Sequence, residues 1–224
     1  MNIVEHIQHR QILGAAMAII DSHNRSAKAP YHNNHHMVGV QCITEGLWRL
    51  EKEDLGMENI RPEVVLTIAA LFHDFDHTAG VEEDSINIYR ARAGLRFHQE
   101  KLINAGVRPE ELDMAEDAIR CTEFPFRIEP RNKLEMVLRD ADLLYASCAG
   151  DPKIIIEHLR AEIEVRLGHS ISQEVMMDGQ ANFLSSVTMF TKAGQKLWND
   201  KTPYFLVTME EYVKSLRTQE TICS

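Results

Sequence analysis

Cysteine is scarce in this chain: four residues (Cys42, Cys121, Cys148 and Cys223), far apart and without a CxxC pair. That excludes a zinc knuckle and a dense disulfide framework, and it points to a reducing, cytoplasmic setting. Basic residues are in deficit, with 24 Lys and Arg against 34 Asp and Glu and a formal net charge of -10. A nucleic-acid backbone is therefore a poor main partner, because phosphate-backbone binding rests on Lys and Arg. A small anionic substrate survives this test, since bound divalent cations supply positive charge locally. No apolar run is long enough to cross a bilayer. The patch around Ile12 to Ile20 is short and interrupted by Gly14, so it reads as an amphipathic helix and not as a signal or membrane anchor. Sustained strict alternation is also missing, which leaves no basis for a sheet.

What remains is apolar residues spaced at three and four along 224 residues of 44% apolar content. The spacing predicts an all-α protein, and the length suits a single domain, residues 1–224, with one sizeable core in a compact helical bundle. Helices are expected over about 3–21, 33–53, 61–75, 83–105, 110–122, 132–147, 151–167, 171–197 and 208–217. The prolines fall mostly between these segments. "TEFPFRIEPRN" reads as a loop and "NDKTPYFLVT" as a connection with room for a short extended piece. Two charge runs, "EKED" at 51–54 and "RAEIEVR" at 160–166, read as solvated helix faces. Exposed apolar helix faces leave a homodimer open.

Histidine is the residue in unusual supply. Five of the eleven fall in two short windows, "PYHNNHHMVGV" at 30–40 and "LFHDFDHTAG" at 71–80. A helix beginning just after Pro30 would put His32 and His36 on one face, four residues apart. His73 and Asp74 end a strongly apolar helix, where a buried element delivers two ligands to one point. Further on, "LEMVLRDADLLYAS" carries Asp140 and Asp142 on an apolar helix. These two differ by about 200° around a helix of 3.6 residues per turn, so only one can face the same interior. An inward carboxylate needs a counter-charge, and a divalent metal meets every one of these demands. Two imidazoles and two carboxylates suit zinc, iron or manganese; a second, oxygen-rich position beside the shared aspartate suits magnesium or manganese.

The order His36, His73-Asp74, Asp142 resembles the metal-ligand pattern of the HD-domain phosphohydrolase superfamily, from about residue 30 to 200. Its class I cyclic nucleotide phosphodiesterase branch is the nearest likeness. That branch's YHNxxHxxDV stands here as Tyr31 to Val40, with Gly39 in place of the aspartate. Its HDxxHxG stands as His73 to Gly80 with one extra residue, and its ADL as Ala141-Asp142-Leu143. A QxxF match places Gln180 and Phe183. The resemblance implies an HD-domain bundle with two divalent metal ions. His36, His73, Asp74 and Asp142 would hold the tighter one, and Asp74 would bridge to a more hydrated second.

By the same likeness His32 is the general acid that protonates the leaving oxygen, and His77 contacts substrate phosphate or supports a ligand. Gln180 hydrogen-bonds a base and Phe183 stacks on it. Tyr31, beside His32, is placed to fix its ring or touch substrate. Asp84 and Asn87, at a helix start, are candidates for substrate contacts or for helix-dipole partners. The implied activity is hydrolysis of a cyclic nucleotide or similar small phosphodiester. Two alternatives stay open: a nucleotidase or nucleoside triphosphate hydrolase, and a non-catalytic nucleotide-sensing module.

Overall fold

A computed structural model describes residues 3–51 and 60–223, with side chains over 4–51 and 60–219. The described residues are all-α and contain no strand. The helices are α1 (Ile3–His23), α2 (Asn34–Glu51), α3 (Pro62–Phe72), α4 (Asp84–Phe97), α5 (Gln99–Asn104), α6 (Pro109–Arg120) and α7 (Lys133–Ala149). A π-helical turn (Ile154–Leu159) then leads into α8 (Arg160–Leu167), followed by α9 (Gln173–Ser186) and α10 (Lys192–Cys223).

Local chemistry sets several of these ends. Pro62 opens α3, where its missing N–H costs nothing. Asn132 caps α7 by accepting the N–H groups of Leu134 and Glu135, and Gly150 stops it in the left-handed conformation. Ser172 caps α9 by accepting from Val175 N.

Helix α3 is the axis of the bundle: every residue from Val64 to Phe72 is buried, and α1, α2, α6 and α7 pack around it. Such burial on all faces is what its unbroken apolar run requires. A smaller apolar cluster, with Ile155, Ile156, Met176, Phe205 and Met209, joins the π turn and α9 to α10.

Four expectations are corrected. The expected helix over 171–197 breaks at 187–191, because buried Asp140 accepts Phe190 N (2.9 Å), Thr191 N (2.8 Å) and Thr191 Oγ1 (2.7 Å) and so starts a new helix there. The "NDKTPYFLVT" stretch is helical inside α10 despite Pro203. The carbonyl that proline leaves without a partner belongs to Asn199, which is exposed, so water takes it. The expected helix over 83–105 is interrupted at His98. Finally, Glu51 is buried and not solvated: it accepts Ala193 N at 2.5 Å and pairs with Lys133 at 3.1 Å. Residues 52–54 of that run, and the last two of the expected 33–53 helix, lie outside the described residues. No described helix is long and apolar enough to cross a membrane.

Candidate metal centre

The buried α3 delivers His73 and Asp74 at its C-terminus, and α2 and α7 cross it so that His36 and Asp142 arrive at the same point. His36 Nε2 lies 3.1 Å from His73 Nε2, 3.0 Å from Asp74 Oδ2 and 3.3 Å from Asp142 Oδ1. His73 Nε2 lies 3.0 Å from Asp74 Oδ2 and 3.5 Å from Asp142 Oδ1. Ligand atoms at bonds of about 2.1 Å are about 3.0 Å apart in an octahedron and about 3.4 Å in a tetrahedron. Four of the five spacings fall in that range, and His73 Nε2 to Asp142 Oδ1, at 3.5 Å, lies just beyond it.

Proton positions sharpen the fit. His73 Nδ1 is 2.7 Å from the Ala70 carbonyl, which only accepts, so Nδ1 carries a proton and Nε2 is the atom that faces the cluster. Asp74 Oδ2 and His36 Nδ1 are buried without a hydrogen-bond partner. In the metal-free protein a proton on the imidazoles offsets the carboxylates, and a bound cation would take that proton's place. Burial works against every charge here, yet mutual attraction wins. Asp74 and Asp142 are held well below the usual carboxylate range by the facing imidazoles, and His73 is held well above the usual imidazole value by the two acids. His36, His73 and Asp74 offer ligand atoms within 4.8 Å of one another and could hold a metal ion, with Asp142 Oδ1 beside both imidazoles.

Asp140 resolves the choice between the two acids of α7: it is fully buried on the other side of the helix, occupied by Phe190 and Thr191, while Asp142 faces the histidines.

His32 is placed differently from expectation. Helix α2 begins only at Asn34, so His32 sits on the bend before it and not one turn down a shared helical face. Glu162 positions it instead. That carboxylate, on α8, accepts Tyr31 N (2.7 Å), His32 N (3.0 Å) and His32 Nδ1 (2.5 Å). Against the cost of burial, the charge of Asp74 and the bond to Glu162 raise His32 to about 9, so it is an imidazolium at neutral pH with its Nε2–H free. Glu162 is 3% exposed and its carboxyl lies below its ordinary range, overturning the reading of 160–166 as a solvated run.

His77 stacks on His32 with ring centroids 3.8 Å apart. Its Nδ1 accepts the Ala79 N–H at 3.0 Å, so in the neutral ring the proton is on Nε2. Burial and the neighbouring His32 push it down to about 3, which keeps it neutral. His73 and His77 thus use Nδ1 in opposite senses, the first donating to a carbonyl and the second accepting an N–H. His32, Asp74 and His77 lie close enough to suggest a second cation site, but the two imidazoles point protons at it.

The loop from 73 to 80 is tied down on several sides. Asp76, at φ 61°, accepts Arg25 N and Nε, both at 2.8 Å, and its own N–H bonds Asn24 Oδ1. Asn87 Oδ1 accepts Thr78 N and Oγ1 at 3.0 and 2.9 Å, so this candidate substrate contact is committed to the loop. Gly80, at φ 89°, rests on α8: a Cβ there would lie 2.0 Å from the Glu162 carbonyl. Gly39 has an equally specific cause, since a Cβ would meet the Tyr145 ring at 2.4 Å, and that ring packs edge-on against His36.

Beside the cluster opens a cleft of about 480 Å³. Tyr31, Asp84, Asn87, Gln180 and Phe183 all line it. Gln180 is nine-tenths buried, and its amide bonds no described residue. Phe183 makes an edge contact at 5.5 Å with Phe124, which makes another with Phe126. Asp84 accepts the Phe124 N–H at 2.5 Å and lies 3.9 Å from His77 Nε2; burial raises it to about 6. Glu162, Phe124 and Phe126 were not among the sequence candidates. A carboxylate 130 residues from its partner leaves no local signal, and a loop aromatic has no periodicity to place it.

Comparison of the chain with protein-family models, with curated proteins and with solved structures finds no significant match.

Proposed function

We propose that this chain is a metal-dependent phosphohydrolase of the HD-domain type that hydrolyses a cyclic nucleotide or similar small phosphodiester. The observation that carries the reading is the pairing of two devices at one cleft: the convergent His36, His73, Asp74 and Asp142 atoms, and a proton-bearing His32 held by Glu162. Bound cations would neutralise phosphoryl oxygens and make water acidic enough to attack at neutral pH. The chain's own groups do the rest. His32 Nε2–H gives its proton to the leaving oxygen, and Glu162 keeps the ring aimed by holding Nδ1. His77 Nε2–H donates to a phosphoryl oxygen. Gln180 offers a donor and an acceptor side by side to a base edge, with Phe183 as the stacking surface. The free thiols Cys42, Cys121 and Cys148 accord with a cytoplasmic setting.

The test is turnover by metal-reconstituted protein of cyclic nucleotides, nucleoside mono- and triphosphates, and diesters with good and poor leaving groups. Acid catalysis is worth about a hundredfold to ten-thousandfold, and only where the leaving group needs a proton. His32→Ala and Glu162→Gln should therefore lose activity on alkyl leaving groups and keep most of it on nitrophenyl esters, while Asp74→Ala loses both. Cleavage of mono- or triphosphates alone would leave the metal site and refute the diesterase reading. Absence of turnover with every metal would favour a sensor.

A further inference from the structure

The charges that line the cleft divide unevenly once the site is assigned. Five carboxylates face it: Asp74, Asp142, Glu162, Glu82 and Asp84. The first two belong to the metal cluster and the third to His32. Glu82 and Asp84 are left, opposed among the described lining residues by the single guanidinium of Arg166, which makes no ion pair. Two carboxylates against one guanidinium give that part of the cleft a net charge of -1. No lysine lines it. The helix start on this wall, that of α4, would ordinarily attract an anion, but Glu82, Glu83 and Asp84 already occupy its first positions. The far wall is apolar, built by Phe124, Phe126, Phe183, Met176 and Ile163.

We propose that Glu82 and Asp84 select the charge of the ligand, so that the cleft takes an ester with one phosphoryl group and a bulky apolar or aromatic substituent and rejects di- and triphosphates. The inference rests on the phosphohydrolase reading for where the phosphoryl group sits. A single phosphoryl group is matched by the cations of the cluster and by His32. Each further phosphate would be driven toward the exposed Glu82 and the half-buried Asp84, and like charges a few ångströms apart repel. Asp84 also carries the wall, since its other oxygen holds the Phe124 backbone. Asn at 84 can still accept that N–H, which makes the amide variants removals of charge and not of shape.

The experiment is calorimetric binding, with metal-loaded protein, of AMP against ATP and of inorganic phosphate against tripolyphosphate. Wild type should bind the single-phosphoryl member of each pair at least about tenfold more tightly. In Glu82→Gln/Asp84→Asn that ratio should shrink by about tenfold, through tighter binding of ATP and tripolyphosphate. The exposed Glu82→Gln alone should move it in the same direction, which guards against a folding defect. A wild-type preference for the polyphosphates, a ratio the amide variants leave unchanged, or no binding of either pair would overturn the proposal. Turnover is measured on the same samples. Charge selection with no ester cleaved would sustain this inference and sink the hydrolase reading, whereas cleavage without charge selection would do the reverse.

Discussion

Asp140 and Asp142 stand two positions apart on α7, and the structure gives them separate work, so removing each should leave a different trace. Asp140→Ala strips three donors of their acceptor: Phe190 N, Thr191 N and Thr191 Oγ1. The Thr191 N–H is buried and gains no water in exchange, at a cost of about 1–3 kcal/mol; with the partly buried Phe190 N–H and the lost bonds to a charged group, the total comes to about 3–5 kcal/mol. For a chain of this length each kcal/mol moves Tm by about 2–4 °C, so the loss should be roughly 10 °C. Helix α10 loses its start, and of the two side chains that crowd Gly194, Asp140 Oδ2 at 2.4 Å and Thr191 Oγ1 at 2.7 Å from a Cβ, only the second remains. Asp142→Ala, in contrast, removes a carboxylate that is a quarter exposed and faces only the cluster. Its metal-free stability should fall by less than that of Asp140→Ala, because a partly exposed carboxylate loses attraction to the imidazoles that solvent screens, while tight metal falls away. Thermal unfolding of both variants in chelator, followed by elemental analysis after reconstitution, separates the cases. An Asp140→Ala protein of wild-type Tm that has lost its metal would refute the division of labour, as would an Asp142→Ala protein that unfolds as early as Asp140→Ala should.

Glu51 supplies a pH test. Although burial opposes it, the Ala193 N–H and Lys133 hold its carboxyl below the ordinary value. A carboxyl depressed in the folded state stabilises fully above its unfolded pKa of about 4.3 and loses that contribution as pH falls through the folded value. Glu51→Gln should therefore be about 1 kcal/mol less stable at pH 7, with the gap closing below pH 4 in denaturant titrations. A gap that is constant with pH would argue against the ion pair. At Gly39, an alanine must displace the Tyr145 ring from His36, costing about 1–3 kcal/mol and weakening metal binding. Adding Tyr145→Ala should restore part of the metal affinity, as measured by competition with a chromogenic chelator.

The parts of the fold legible in the sequence were those written in local periodicity. The run from Val64 to Phe72 announces a buried helix, and a His-Asp pair at its end has few other reasons to be there. Opaque features were those decided by a distant partner. The break before α10 is made by Asp140, some 50 residues upstream, against an apolar stripe that continues through it. Glu162 sits in a run whose charge spacing is that of any solvated helix face, and only the Tyr31–His32 bend reveals its use. Pro203 reads as a helix breaker because the cost of its missing N–H is visible in sequence while the exposure of Asn199 is not.

The π-helical turn at Ile154–Leu159 makes the His32–Glu162 pair a matter of chain length. A π turn accommodates one residue more than an α turn, and each residue of an α-helix advances the direction of its side chains by about 100°. Glu162, which meets His32, lies just downstream of that extra residue. Deleting one position between 154 and 159 would leave the composition, the apolar content and every ligand of the cluster intact, yet swing the carboxylate about a quarter turn off its partner. A lineage carrying this fold could thus make or break the His32–Glu162 bond by a single insertion or deletion, without a substitution at the candidate metal site.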